Sequence, residues 1–513
     1  MGTPVVIGVT GHRDLREKDI PQLRKAVRAE LSKLQAACPH SEFTMLNPLA
    51  AGADALCAQE ALALGMKLVC PLPFEADEYR KDFSGPDAEL FETLLAQAAD
   101  VFVAPVQEPV VPGRDFRYRQ AGIYVATHCH VLLALWDGTP PDPGSCGTGE
   151  AVSFMLEGSY IGAPPFDAEG DGAVIHITTP RLKQNQDLPI AAKLIEEREG
   201  SLREALERTD AFNADCLSSP CETPGSMRAV YDQADRLSLH FQTRYLRTLW
   251  TLSLFCVLLV LAFLLYDEAD LNVMLVAWGV IIVAYAAFYR LVVRGKYHRK
   301  YIQYRVLAES MRVQMHLSSV GISANVGNDF TWTQRHDITW VRKAIDVLLI
   351  GDPAPATATP DEVKVSWIDD QQAYHEKAAK RAGSKHVNSN RTTQAMIICT
   401  IIVFLVITIL EYGFPAVMSS DFLGLELRAW GKILWGCLTA VVVFVSGYYG
   451  RLSFERKAFD HGKMALLFDA AARRYDAAPE TFETIFRDLA REEIIENGNW
   501  MSYCKEDRPT FSL

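Results

Sequence analysis

LWTLSLFCVLLVLAFLLYDEADLNVMLVAWGVIIVAYAAFYR, Leu249 to Arg290, decides how this chain folds. Two apolar runs flank a short acidic turn, Asp267 to Asn272. Each run holds about 18–20 residues without a charge, the length a helix needs to cross a bilayer. A hairpin buried in a soluble core would show a polar face at helical spacing, and neither run does. Gln394 to Tyr412 and Gly431 to Gly450 are two more apolar runs, charged only near their outer ends at Glu411 and Lys432. The expectation is four transmembrane helices arranged as two hairpins.

The flanking charges agree on an orientation. Arg244 and Arg247 precede the first span, and Arg290, Arg294, Lys296, Arg299 and Lys300 follow the second. Lys377, Lys380, Arg381, Lys385 and Arg391 precede the third, and Arg451, Arg456 and Lys457 follow the fourth. The first outer turn has acids and no base, and the second has only Arg428 and Lys432. Basic residues stay on the side of synthesis, which puts both termini in the cytoplasm of a multi-pass inner-membrane protein.

A chain of 513 residues has room for three or four units. Its formal net charge of −12 does not suit nucleic acid, and direct nucleic-acid binding is not expected. The 11 cysteines show no CxxC pair and no metal-ligand spacing, which suits a reduced compartment. MGTPVVIGVTG leads straight into a strand-like run, so a cleavable signal peptide is not expected.

The N-terminal part alternates strands and helices. Pro4–Val9, Phe43–Leu46, Lys67–Leu72, Val101–Ala104, Val131–Trp136 and Ala173–Thr178 read as strands. The segment after Arg13 with Leu23, Val27, Leu31 and Leu34 on one face, then Ala55–Leu64 and Arg117–Thr127, read as helices. That alternation predicts an α/β, Rossmann-like parallel sheet with helices on both faces. An all-α membrane domain with four transmembrane helices and long cytoplasmic helices follows it. In open parallel sheets a ligand sits beyond the carboxyl ends of the strands.

The loops at those ends carry the candidate chemistry. Gly8, Thr10, Gly11, His12 and Arg13 close the first strand. Gly52, Ala53 and Asp54 start the helix after the second, and Pro73 and Tyr79 follow the third. Trp136, Asp137 and Gly138 follow the fifth, and a loop from Gly144 through Gly147, Thr148, Gly149 and Glu150 enters the next helix. Glycines let backbone amides approach an anion, and a helix N-terminus adds its dipole and free amides. In this set Arg13 suits a phosphate, Asp137 or Glu150 a ribose hydroxyl, and Trp136 or Tyr79 a stacked base. No Walker lysine follows the glycines, and the first loop lacks GxGxxG. No metal site or catalytic set is assigned.

GVTGHRDL, LAAGADALCAQEALALGMKLVCPLPFEADEYRKDF and AGIYVATHCHVLLALWDG followed by GTGEAV together resemble the SLOG superfamily over about residues 4–180. These are Rossmann-like nucleotide-binding domains related to the LOG phosphoribohydrolases and to the N-terminal domains of TRPM channels. The resemblance implies that the loops at Gly11, Gly52–Asp54 and Gly147–Glu150 form a nucleotide pocket. LOG hydrolases carry PGGxGTxxE, with the glutamate three residues after the threonine. Here Glu150 lies two after Thr148, Ala151 takes the third place, and the proline and paired glycines are missing. That departure favours a sensor over a hydrolase.

Beyond the α/β part, residues 181–247 read as a charged helical stalk, with Ile195–Arg208 as a helix whose charges form a solvated face and Cys216–Ser226 as a loop or linker. Residues 248–350 and 364–513 read as a duplicated two-span module, joined by a linker over 351–363. In each module a polar helix enters the membrane, a long amphipathic helix leaves it, and a shorter helix, Phe330–Ile350 or Pro479–Trp500, closes the copy. This layout resembles the SLATT families, two-span modules found beside SLOG domains and nucleotide-signal synthases in bacterial defence loci. The resemblance implies an antiphage membrane effector. It senses a nucleotide second messenger, cyclic or ADP-ribose-derived, made by a partner synthase, and acts as a homo-oligomer by opening a pore or disrupting the bilayer. The alternatives are a membrane-anchored nucleotide N-glycosidase, with Arg13 and Glu150 as its working groups, and a scaffold with a vestigial pocket.

Overall fold

The computed structural model describes residues 2–108, 110, 113–141, 146–158, 172–183, 188–218, 227–351 and 355–506. Gly144 and Ser145, most of the loop to Ser226 and the start of the 353–360 linker lie outside the described residues.

The N-terminal strands are β1 (Val5–Gly11), β2 (Phe43–Leu46), β3 (Lys67–Leu72), β4 (Asp100–Val103), β5 (Val131–Trp136), β6 (Ala173–Thr178) and β7 (Ala192–Glu196). They form one sheet in the order β4-β3-β2-β1-β5-β6-β7, parallel except for the β6–β7 pair. β1 and β5 are apolar on both faces, as strands covered on both sides must be. Val5, Ile7 and Val9 face one core with α1 (Ile20–Ala37), α2 (Ala53–Ala63), the single turn α3 (Ala76–Tyr79) and α4 (Pro86–Leu95). Val6, Leu132 and Ala134 face the other, under α5 (Arg114–Thr127) and α6 (Thr148–Glu157). The strand order reverses between β1 and β5, paired from Ile7–Val131 to Gly11–Leu135. A crevice opens there beyond the carboxyl ends.

One reading after residue 180 is corrected. Ile195 does not begin a helix. Residues 192–196 add β7 antiparallel to β6, a long-range pairing that local charge periodicity does not encode. The helix is α7 (Ser201–Leu217), started by the Glu196 carboxylate, which accepts from the backbone N–H groups of Gly200 (3.1 Å) and Leu202 (2.8 Å). Its apolar face is covered, with Leu202, Leu206 and Phe212 buried, while Arg203 and Glu207 on the charged face are exposed. Asn213 holds Thr3 at both backbone groups (3.0 and 2.9 Å), and Asp210 accepts from Ser41 Oγ (2.8 Å).

The helical part continues with α8 (Met227–Glu268), α9 (Val273–Gly295), α10 (Tyr297–Ser319), the one-turn α11 (Trp332–Arg335) and α12 (Thr339–Leu348). Then come the short α13 (Pro360–Val363), α14 (Asp370–Gly413), the short α15 (Pro415–Met418), α16 (Leu427–Leu452), α17 (Phe454–Ala477) and α18 (Phe482–Glu506). Phe330–Ile350 is therefore two helices, not one. The α11 turn carries a Thr331–Gln334 capping box, and the chain breaks before α12. α8, α9 with α10, α13 with α14, and α16 with α17 each contain a stretch long and apolar enough to cross a membrane. Thr251, Ser253, Thr400, Thr408 and Thr439 each donate to the carbonyl four residues back, at 2.8–2.9 Å, so the hydroxyls in the spans serve their own helices. At the loop ends of the spans Arg428 pairs with Glu411 (2.9 Å) and Lys432 with Glu268 (2.9 Å).

The chain forms two compact units that cut across the consecutive blocks expected from sequence. One gathers Met1–Leu237, Arg305–Ala358 and Ala490–Ser502; the other gathers Ser238–Tyr304, Thr359–Leu489 and Tyr503–Leu513. Within the first, Phe212 and Trp340 lie fully buried with ring centroids 5.7 Å apart, and Arg312 pairs with Glu493 at 3.1 Å. The ring contact packs the apolar faces of α7 and α12 against each other, and the ion pair joins α10 to α18. Phe212→Ala should cost about 3–5 kcal/mol. It should appear as a lower denaturant midpoint for the detergent-solubilised full chain, and an unchanged midpoint would show that this packing contributes little.

Candidate ligand-binding site

At the crevice between β1 and β5 lies a cavity of about 510 Å³, within the range of small-molecule sites. Its wall is built by interlocked loops. The Ala53 N–H donates to the His12 carbonyl (3.1 Å), and the His12 N–H donates to the Leu135 carbonyl (3.2 Å). Gly52 has φ +81°, and a Cβ there would stand 2.4 Å from the Arg13 carbonyl oxygen. A Cβ on Gly11 would stand 2.3 Å from that of Ala53. Only glycine allows the β1 loop and the start of α2 to meet this closely. Asn47 holds the same turn from below, donating to the Asp54 carbonyl (2.8 Å) and accepting from the Leu49 N–H (2.8 Å).

Of the sequence candidates, Thr10, Gly11, His12, Arg13, Asp54, Pro73, Tyr79, Trp136, Asp137, Gly147, Thr148 and Gly149 line the cavity. Gly8, Gly52, Ala53, Gly138 and Glu150 do not. Gly8 instead lets α5 and the turn after it approach, since a Cβ would lie 2.8 Å from Val125 Cγ1 and from Cys129 Sγ. Glu150 ion-pairs with Arg119, which Glu108 also grips at 2.8 Å, and it accepts from the Cys146 N–H at 2.9 Å. Its carboxylate fixes the entry to α6.

The acids and bases at the rim are largely matched. Asp137 lies 3.2 Å from His12 Nε2 and 3.7 Å from Arg181, which holds Asp14 at 3.0 Å. Burial lowers the His12 pKa, so the ring is neutral at neutral pH. Its Nε2 then accepts from the Asp137 N–H (3.1 Å), and the proton resides on Nδ1, 3.5 Å from Thr148 Oγ1. Burial works to raise the Asp137 pKa, but the hydrogen bonds from Thr139 lower it overall. Tyr79 is enclosed, 1% exposed and met edge-on by Phe83 and Phe91, so its ring has no free face for a base. The Trp136 indole N–H is held by the Thr139 carbonyl (3.1 Å), with its ring 5.1 Å from His176.

Two cations stay available. Arg13 stands over the Tyr118 ring at 5.2 Å and, like Lys183, makes no ion pair with a described residue. The Gly147–Gly149 backbone starts α6 beside them. One acid also stays open. Asp54 is 4% exposed, and its Oδ1 has no hydrogen-bond partner among the described residues. Burial raises its pKa to about 7, against the pull of Arg13 and the Ala50 backbone. An anion-binding edge beside a buried acceptor suits a phosphorylated, hydroxyl-bearing ligand. Sequence reasoning missed Arg181, Lys183 and Tyr118. The first two follow β6, so the carboxyl-end rule applied to that strand would have found them; Tyr118 gave no signal, being an interior position of α5.

Compared with known proteins, the chain matches no protein-family model and no curated protein. The fold and site define a class: a mostly parallel α/β sheet with a ligand-sized cavity at its topological switch point, followed by an all-helical part with four helices able to cross a membrane.

Folded Asp54 keeps its proton up to about pH 7, whereas the unfolded carboxyl loses it near 3.8. Between those values the folded state holds more protons, so stability falls as pH rises through that window. Asp54→Asn removes the penalty. Its thermal midpoint in detergent should exceed wild type by a few degrees at about pH 8 and by much less at about pH 4.5. An equal or reversed gain at the higher pH would contradict a buried, unpaired carboxyl.

Proposed function

We propose that this protein is a ligand-controlled membrane effector whose α/β domain binds a nucleotide second messenger. The observation that carries the reading is the cavity at the β1–β5 switch point, with Arg13 and Lys183 at its edge, neither ion-paired among the described residues, and the α6 N-terminus on the same lining. Arg13 takes the phosphate, and the Gly147–Gly149 amides share its charge. Three continuous helices, α8, α10 and α18, each contribute residues to both compact units, and they give binding a covalent route to the spans. Binding shifts the spans only if the ligand prefers one arrangement of those helices over another.

The resemblance to SLOG and SLATT modules supplies the setting. The protein acts in antiphage defence, in the inner membrane, with both termini cytoplasmic. A synthase makes its signal, and several copies assemble to open a pore or breach the bilayer. The second reading is a membrane-anchored nucleotide N-glycosidase, favoured by the raised pKa of a cavity carboxyl, Asp54. Glu150, held by Arg119 and the Cys146 amide, is then the wrong acid for the chemistry. Recovery of the bound nucleotide unchanged separates the two.

Thermal stabilisation of the full chain in detergent tests binding. A saturating cyclic nucleotide or ADP-ribose derivative should stabilise it by about 3–4 kcal/mol at roughly 100–1,000 times the dissociation constant. Arg13→Ala should weaken binding about 10–100-fold, the worth of a charge-assisted hydrogen bond to phosphate. A full nucleotide panel without effect defeats the proposal. Orientation has its own readout: in intact spheroplasts an impermeant thiol reagent should label Ser420→Cys and leave Cys504 untouched until the cells are opened. The converse pattern would invert the topology.

A further inference from the structure

Among the described residues three carboxylates line the cavity, and two are already committed. Asp14 is held by Arg181 at 3.0 Å, and Asp137 by the Thr139 N–H at 3.0 Å with Arg181 at 3.7 Å. Glu150, the other acid that sequence pattern pairs with a sugar, is bound to Arg119 outside the lining. Asp54 differs from all of these. It is buried in the first turn of α2, it lines the cavity, and its Oδ1 is the one cavity-lining side-chain oxygen buried without a partner among the described residues. Leaving a buried acceptor unmatched is costly unless a bound molecule completes it.

We propose that Asp54 is a specificity residue of this cavity that accepts a hydrogen bond from a sugar hydroxyl, so that the site takes ribonucleotides and rejects their deoxy counterparts. The inference rests on the nucleotide reading above and deepens it. Arg13 and Asp54 are close enough for the guanidinium to act electrostatically on the carboxyl. An anion at Arg13 therefore has its adjoining group delivered to Asp54, and in a nucleotide the group next to phosphate is the sugar. A purely apolar neighbour would leave Oδ1 unmatched, and a second phosphate would meet a carboxyl. A hydroxyl donor suits it. Sites built to hydrogen-bond a ligand hydroxyl discriminate strongly against the analogue lacking it, because the protein group is then left unpaired.

The test uses the full chain in detergent with AMP, 3′,5′-cyclic AMP and ADP-ribose as probes. Each is titrated beside its 2′-deoxy analogue, with 3′-deoxy-AMP added. The expected result is that at least one ribonucleotide binds wild type about 10–100-fold more tightly than a deoxy partner. Asp54→Ala should bring that ratio close to one by weakening the ribonucleotide. Asp54→Asn, which keeps a carbonyl acceptor, should retain part of it. Thermal midpoints without ligand confirm that both variants fold. Equal binding of ribo and deoxy probes to wild type, or full discrimination retained in Asp54→Ala, overturns this assignment and leaves the nucleotide pocket standing. Failure of every probe to bind wild type overturns the pocket reading and the Asp54 role with it.

Discussion

The close contact of two backbones, at Gly52 and Arg13, fixes the cavity on which the functional account depends. The β1 loop and the start of α2 meet through the Ala53–His12 hydrogen bond, with no room for a Cβ at Gly11 or Gly52. That contact places Arg13 and Asp54, which come from different loops, at one edge of the sheet. It also sets the price of the site: a carboxyl is buried at the foot of α2 and keeps its proton to about pH 7. Such local frustration concentrates where a ligand is to be received.

The membrane part answers a different constraint. In hydrocarbon every backbone amide needs an internal partner, so the apolar stretches are continuous helices. The span hydroxyls turn back on their own helices, and the ion pairs Arg428–Glu411 and Lys432–Glu268 stand at the loop ends of the spans. The middle of each apolar run carries no charged residue.

Much of this was legible in the sequence. The spans announce themselves by length without charge, and the parallel strands by short runs such as VVIGV bounded by turns. β7 was not legible, because Ala192–Glu196 is a strand only through its pairing with β6, and its charges suited a helix equally well. The partner of the other face of α7 was not legible either, because Phe212 meets Trp340 from far along the chain. In the site, the loops were foreseeable and their internal commitments were not. Glu150 and Asp137 look available on paper; Arg119, His12 and Arg181 occupy them through contacts over thirty or more residues. Tyr79 looks like a stacking platform until Phe83 and Phe91 close on it. The openness of Asp54 follows only once those partners are assigned.

The central claim is that occupancy of the cavity controls the spans. Full-length protein reconstituted in dye-loaded vesicles tests it directly. The account predicts little leakage without ligand, release on adding the nucleotide that stabilises the protein, and no release from Arg13→Ala vesicles at the same concentration. Leakage that ignores the nucleotide, or tight binding that never changes permeability, would contradict it.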